Sequence, residues 1–520
     1  MTAQVDTVLR DGQVYDGRGG EPTVADVAMQ AGRIVAVGSA LSLRGRQEVD
    51  CGGLAVCPGF VDVHAHDDLA ALGPDGLQPK VRQGVTTTVV GNCGHGAGPV
   101  GDHAPEVRSY SSPVLGRGPE HWPWRTFADY LSSLRRAEPP LTVLPLVPHG
   151  AARIAVMGFE ARPASGPEQK RILDEIRAGL DAGGAGVSFG LMYAPACFAA
   201  TAELVAVAEL VAAARGVLAV HLRSEGGAIT ESLEEMRHVA EVTGVRLHVS
   251  HLKCTGVANH GRMPEVVGTL DDWRRRGIDV TTDVYPYTAG STTVCGMLPE
   301  WALAGGVDEM LVRLGDPGER NAVVTALGRP WERMENHLLG CGADSITLVG
   351  LQEPRNRAFD GQPLSSIATA RGASPEETLV DVVVEERARP GVIQHQGLEA
   401  DLEAALRWPH TMIGSDGLPT DVASPHPRLY GTFPRALGRY ARDKGVLSMP
   451  EAIRRMTSLP AQRFGLVDRG ELRAGAYADV VVFDPATVTD TATYDAPRSW
   501  PRGVHQVWRG GRALWRDRPA

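Results

Sequence analysis

Eight short apolar runs, alternating with helix-like stretches, constrain the fold of this chain more than any other feature. They are VDVHAH (61–66), TTTVVGNC (86–93), TVLPLVPH (142–149), GVSFGLMY (186–193), LAVHLRSE (218–225), LHVSHLK (247–253), DVTTDVYPY (279–287) and HTMIGSDG (410–417). Such runs are what strands buried on both faces look like. Between them, Ile229, Leu233, Met236 and Ala240 recur at helical spacing and predict a helix facing the sheet. An α/β fold with eight such alternations is expected to close into a (β/α)8, TIM-like barrel, although an open doubly wound sheet gives similar local patterns.

Both chain ends have a different texture. VDTVLRDGQVYDGRGG at the start and GELRAGAYADVVVFDP near the end read as short strands and turns. We expect one small β-sandwich domain split between residues 1–58 and 466–520, around a barrel spanning 59–465. The barrel rhythm breaks at about 290–400, where a long polar stretch with Pro and Gly predicts a subdomain inserted over the mouth. Residues 94–119 read as a Gly/Pro-rich loop.

Composition excludes several classes. A net charge of −10 argues against a nucleic-acid surface. No apolar run reaches the roughly 18 residues of a membrane span, and MTAQVDTVLRDG lacks a secretory pattern. The 7 cysteines are scattered and odd in number, unlike a disulfide framework, so a reducing cytoplasm is expected. The sequence leaves the oligomeric state open.

The chemistry concentrates at the ends of the predicted strands, where barrel enzymes carry their reactive groups. His64 and His66 close strand one and share a face, being two residues apart. Cys93 ends strand two, His221 and His251 lie on strands five and six, and Asp416 ends strand eight. Any one of them has an ordinary structural reading, and Asp416 in SDG resembles a turn residue. Together they form the thiolate, imidazole and carboxylate set that suits Zn²⁺. Among the other histidines, His95 shares the parity of Cys93 and could approach the site, and His149 is ambiguous. His248, of opposite parity to His251, is expected to face the helix layer.

The segments PGFVDVHAH, GVTTTVVGNCG, GLMYAP, HLRSEG, SHLK, DVYPYTAGST, GSDG and HPRLYGTFPR occur in order along nearly the whole chain. In these the chain resembles the amidohydrolase superfamily, and within it the N-acyl-D-amino-acid deacylases, or D-aminoacylases. Binuclear relatives carry a metal-bridging lysine on strand four; AGVSFGLMYAP has none. The resemblance implies one tightly bound zinc on Cys93, His221 and His251, with His64, His66 and Asp416 forming a second site that is weak or empty. It implies Asp416 as the acid–base carboxylate of amide hydrolysis. It also assigns Tyr193, Lys253, Tyr285, Ser291 and Arg428 to substrate binding, with Lys253 and Arg428 meeting the α-carboxylate of a small N-acyl-D-amino acid. Tyr287 competes with Tyr285 on spacing alone. HGAGPV after NCG and His260 in ANHGRM depart from the family pattern, near the acyl or side-chain pockets. A cyclic-amide hydrolase of hydantoinase or dihydroorotase type is the alternative.

Overall fold

The computed structural model describes residues 4–116, 118–119 and 121–517. All eight expected strands form, at Phe60–Asp62, Val85–Val90, Thr142–Pro145 with Val147–Pro148, Gly186–Gly190, Val217–His221, Arg246–Val249, Val280–Val284 and Thr411–Ile413. Every neighbouring pair is parallel. The hydrogen bonding divides them into a 3-stranded and a 6-stranded sheet that meet at two seams. At one seam strand three pairs with strand two through Thr142–Pro145 and with strand four through Val147–Pro148, Leu146 lying between. At the other, Ala65 forms a parallel bridge with Gly417, and the Asp416 amide donates to the His64 carbonyl at 2.7 Å.

Strand parity builds the layers. Val61, Val63, Val89, Leu146, Val217, Ala219 and Met412 meet inside the ring, with Phe464 against them. Phe189, Leu218, Val220, Leu247 and Val249 point outward to the helices. The helix Ile229–Thr243 buries Ile229, Leu233, Met236 and Ala240, the face its spacing predicted. The helix Gly166–Asp181 starts on a capping box of Ser165 and Glu168 and buries Ile172 and Ile176. Each such buried aliphatic side chain contributes about 1.5–3 kcal/mol.

Five strands from the start of the chain and three from its end, Val480–Phe483, Val504–Arg509 and Arg512–Arg516, form one 8-stranded sheet. The junction is the antiparallel pairing of Ala55–Pro58 with Val480–Phe483. A bulge between Leu9 and Gly12 divides the first strand, so that its first part pairs with Arg44–Asp50 and its end with Ala55–Pro58.

The inserted region has its own antiparallel sheet, Ala289–Thr293, Gly391–His395 and Ile346–Val349 in that pairing order (first with second, second with third). Its helices close a separate core around Val294, Met310, Leu314, Leu348 and Leu379. The stretch read as a Gly/Pro-rich loop contains a helix, Ala104–Leu115. Pro105 sits in its first turn, where no amide is needed, whereas Pro113 lies within the last turn and removes one hydrogen bond there without ending the helix before Leu115.

Candidate metal centre

Three of the strand-end residues leave their strands through left-handed backbone: Cys93 (φ 54°), His251 (φ 35°) and Asp416 (φ 47°). Non-glycine residues avoid this region at a cost of about 1–3 kcal/mol each, and such outliers gather at functional sites. Here the turn swings each side chain over the mouth of the ring.

Cys93 Sγ lies 3.3 Å from His64 Nε2 and 3.3 Å from His251 Nε2. His66 Nε2 lies 3.1 Å, and His64 Nε2 3.6 Å, from Asp416 Oδ1. The donors form three overlapping groups, His64–Cys93–His251, His64–His66–Asp416 and His221–Glu225–His251, with ligand atoms within 4.8 Å of one another. A tetrahedral ion with bonds of about 2.0–2.3 Å spans donors at such separations. All these side chains are buried, and both ring nitrogens of His221 and Nδ1 of His66 lack a hydrogen-bond partner. Buried orphan donors are costly unless something binds them. The residues present therefore fit a zinc-type ion.

Burial holds His66, His221 and His251 below the usual imidazole pKa, and neutral imidazole is the ligand form. His64 goes the other way: burial lowers it, but Asp283, Cys93 and Asp416 outweigh burial. Burial alone would raise Asp416, yet the Arg428 guanidinium, then His64 and His66, keep its carboxyl well below the usual range. Arg428 Nη1 stands 2.9 Å from Asp416 Oδ2.

Of the residues singled out from the sequence, some line this mouth and others are held away from it. Cys93 and His251 share a group with His64, and His221 stands beyond His251, their rings 4.4 Å apart. Lys253 is paired rather than free: Nζ contacts Glu225 Oε2 at 2.7 Å and the His251 carbonyl at 3.0 Å. Burial would lower its pKa, but Glu225 raises it. Tyr285 lies under two cations, Arg428 at 4.5 Å and Lys253 at 5.7 Å from its ring centre. Tyr287 faces away, to Asp490 at 3.4 Å and beneath Arg435. The Ser291 carbonyl accepts from Arg428 Nη2 at 3.0 Å, and the Tyr193 hydroxyl contacts Thr292 Oγ1 at 3.0 Å. His95 borders the mouth, stacked on Tyr110 at 4.1 Å. His149 is held elsewhere, at 2.8 Å from Glu203. His260 meets the Gln396 carbonyl at 3.3 Å.

His248 corrects the parity reading. It pairs in register with Ala219, an inward residue, and its Nε2 lies 2.9 Å from Asp283 Oδ2. Asp283 in turn meets His64 Nδ1 at 3.3 Å. Parity misled because the strand ends at Val249, and the left-handed turn at His251 breaks the alternation. His248 therefore supports a ligand through Asp283 instead of facing the helices.

Sequence reasoning also missed Glu225, Asp283, Lys80 and His337. Glu225 follows His221 by four residues and holds His251 Nδ1 at 3.0 Å, a carboxylate–imidazole pairing that orients metal ligands. Asp283 lies two residues before Tyr285, on the same strand face, and that parity was a usable signal. Lys80, 1% exposed, bonds Asp62 at 2.6 Å, and Asp62 accepts the Ser415 amide at 2.8 Å, tying strand one to strand eight. His337 comes from the insertion, buried, with neither ring nitrogen hydrogen-bonded. Nothing local in the sequence marks it.

The amidohydrolase family matches residues 47–514. D-aminoacylase of Alcaligenes xylosoxydans xylosoxydans is 35% identical over 512 residues, covering 98% of this chain and 95% of that protein. N-acyl-D-glutamate deacylase of the same organism is 35% identical over 523 residues, covering 100% and 95%. Among solved structures, N-acyl-D-glutamate deacylase from Bordetella bronchiseptica, complexed with zinc and a phosphonate inhibitor mimicking the tetrahedral intermediate, superposes with a TM-score of 0.83 at 32% identity, covering 99% of this chain and 98% of that one. A D-aminoacylase structure concerned with one-metal activation and second-metal attenuation of a binuclear centre gives 0.83 at 34% identity, covering 99% and 97%. The chain belongs to the amidohydrolase family, in its D-aminoacylase branch, and is a hydrolase of linear amides.

Proposed function

We propose that this chain is a zinc-dependent, cytoplasmic N-acyl-D-amino-acid deacylase, releasing a carboxylate and a free D-amino acid. The observation that carries the reading is the position of Asp416. Its carboxylate is held ionised by Arg428 and stands beside His64 and His66, and His64 is in turn grouped with Cys93 and His251. Cys93, His221 and His251 would hold the principal ion, with His64, His66 and Asp416 forming a weaker second site. Zinc, when bound, supplies Lewis acidity to the scissile carbonyl and makes water nucleophilic near neutral pH.

Asp416 takes one proton from the attacking water and returns it to the departing amine nitrogen as the C–N bond breaks. Arg428 keeps Asp416 deprotonated for the first half of that cycle, and its Nε carries no hydrogen bond, leaving a donor for the substrate α-carboxylate. Lys253 adds positive charge behind Tyr285, whose phenol and that of Tyr193 face the chamber with Ser291. Strand four, Gly186–Gly190, reads GVSFG and offers no lysine to bridge two metals, which the cyclic-amide alternative would need.

Zinc analysis and a screen of N-acetyl-D- and N-acetyl-L-amino acids test the reading. About one zinc per chain and turnover of the D series are expected. Activity confined to L-substrates or to cyclic amides would overturn it.

A further inference from the structure

The chamber at the metal centre is small, about 40 Å³. At about 10–15 Å³ of such space per water, it accommodates a few water-sized groups and no more. The reacting amide fits there; the rest of a substrate does not. The chamber adjoins a second cavity of about 1010 Å³, and the two share His95, Met192, Tyr193, Ser291, Thr292 and Leu418 in their linings.

Parts of the chain that line this outer cavity include Tyr110 on the helix Ala104–Leu115, Met192 and Tyr193 after strand four, Leu298, Leu303 and Val307 from the insertion, and Leu418 and His426 after strand eight. Its aromatic rings are in mutual contact, His95 with Tyr110 at 4.1 Å and Tyr110 with Phe159 at 6.2 Å. The charged groups among its described lining residues, Arg108, Glu300, Arg387, Arg389 and Asp421, stand at partly or fully exposed positions. Apolar and aromatic side chains such as Tyr110, Phe159, Met192, Leu298 and Leu303 line the cavity together with these charged groups.

Size decides what such a cavity is for. Pockets of about 300–1,000 Å³ hold whole drug-sized ligands. An acetyl group would leave nearly all of this one in contact with water alone. A single side chain does little better, since even the largest aromatic one buries only about 250 Å².

We propose that the outer cavity seats the acyl chain of the substrate, so that N-acyl-D-amino acids with a long or aryl acyl group, roughly six to twelve carbons, are preferred over N-acetyl ones. This rests on the deacylase reading and adds the acyl class to it.

The test is a series on the zinc-loaded enzyme: N-acetyl-, N-butanoyl-, N-octanoyl-, N-decanoyl- and N-phenylacetyl-D-alanine, with N-acetyl-D-phenylalanine beside them. kcat/KM is expected to rise about threefold to fourfold per added methylene until the cavity fills, more than tenfold in all. A flat series, or a gain confined to the larger side chain, overturns the proposal. Val307→Trp, which narrows the cavity away from the metal ligands, should remove most of the octanoyl advantage and leave N-acetyl-D-alanine unchanged. Leu303→Phe serves the same purpose with a smaller change if the tryptophan disturbs folding. An octanoyl advantage unaltered in both variants counts against the cavity. If no D-substrate turns over, the deacylase reading fails, and calorimetric titration still reads the cavity. N-octanoyl-D-alanine binding at least tenfold more tightly than N-acetyl-D-alanine supports it, and equal affinities overturn it.

Discussion

His251 and His149 each stand at the mouth end of a barrel strand, and each is buried beside a glutamate, yet their surroundings differ in kind. His149 shares Glu203 with Arg153, whose Nη1 reaches both carboxylate oxygens at 2.6 and 2.8 Å, and the backbone there is ordinary. His251 sits on a left-handed residue, 3.3 Å from a thiol, among imidazoles of which His221 has no hydrogen-bond partner. One cluster is complete in its charge pairing, Glu203 facing both His149 and Arg153, although His149 Nδ1 and Arg153 Nε lack a hydrogen-bond partner. The other is assembled at a cost and holds an imidazole with neither ring nitrogen partnered. A complete cluster has its interactions in the fold itself, whereas an incomplete one gains them only when an ion or substrate arrives. Mutations in the two should therefore separate stability from chemistry.

The largest effect belongs to the incomplete cluster. Asp416→Asn removes the acid–base carboxylate and keeps the side-chain volume, so kcat should fall by about 10²–10⁴-fold. Zinc content, measured by atomic emission, should survive, because Asp416 belongs to the weaker donor group. Activity near wild type would remove Asp416 from the mechanism. Cys93→Ala should instead strip the zinc, with activity lost in proportion. Retention of a full zinc equivalent would place the tight site on the other donors.

The same contrast marks what could be read from residue order. Apolar runs and strand-end donors were legible because they follow local rules: strand period, and the placement of reactive groups at one end of a barrel. The split sheet was legible because Ala55–Pro58 and Val480–Phe483 are both strand-like on their own. His248 was misread because a turn two residues beyond its strand resets the parity of His251. Glu225, Asp283 and Lys80 act through partners 26, 219 and 335 positions away, such as His251, His64 and Ser415; strand parity marked the face of Asp283, but no local pattern encodes the pairings themselves. His337 reaches the chamber only because the insertion folds over it.

An intermediate effect should appear where the support of the ligands is removed. Asp283→Asn leaves a side chain of the same shape but weakens the hold on His64 and His248. Loss of such an outer partner typically costs 10–100-fold in metal affinity or activity. Competition with a chelator should show weaker zinc retention, with the melting temperature of the zinc-loaded protein changed little. An unchanged chelator midpoint would make Asp283 a packing residue only.

The smallest catalytic effect, and the sharpest test of the contrast, comes from the complete cluster. Burial alone would raise the Glu203 pKa, but His149 and Arg153 outweigh it and bring the carboxyl down to about 2. A depressed carboxyl stabilises the fold above its ordinary pKa of about 4.3, and that contribution disappears as pH falls through the folded value. Glu203→Gln should therefore cost about 3–5 kcal/mol at neutral pH, since it leaves Arg153 buried without its counter-charge. The gap in melting temperature between variant and wild type should narrow as pH falls from about 4.5 toward 2, because the wild type is then losing the same charge. Zinc content and kcat of the folded variant should stay within about twofold of wild type, as expected for a substitution whose effect is on stability alone. A gap that stays constant with pH would separate Glu203 from the ion pair. A large loss of kcat with normal zinc would place His149 and its partners in the chemistry and end the distinction between the two histidines.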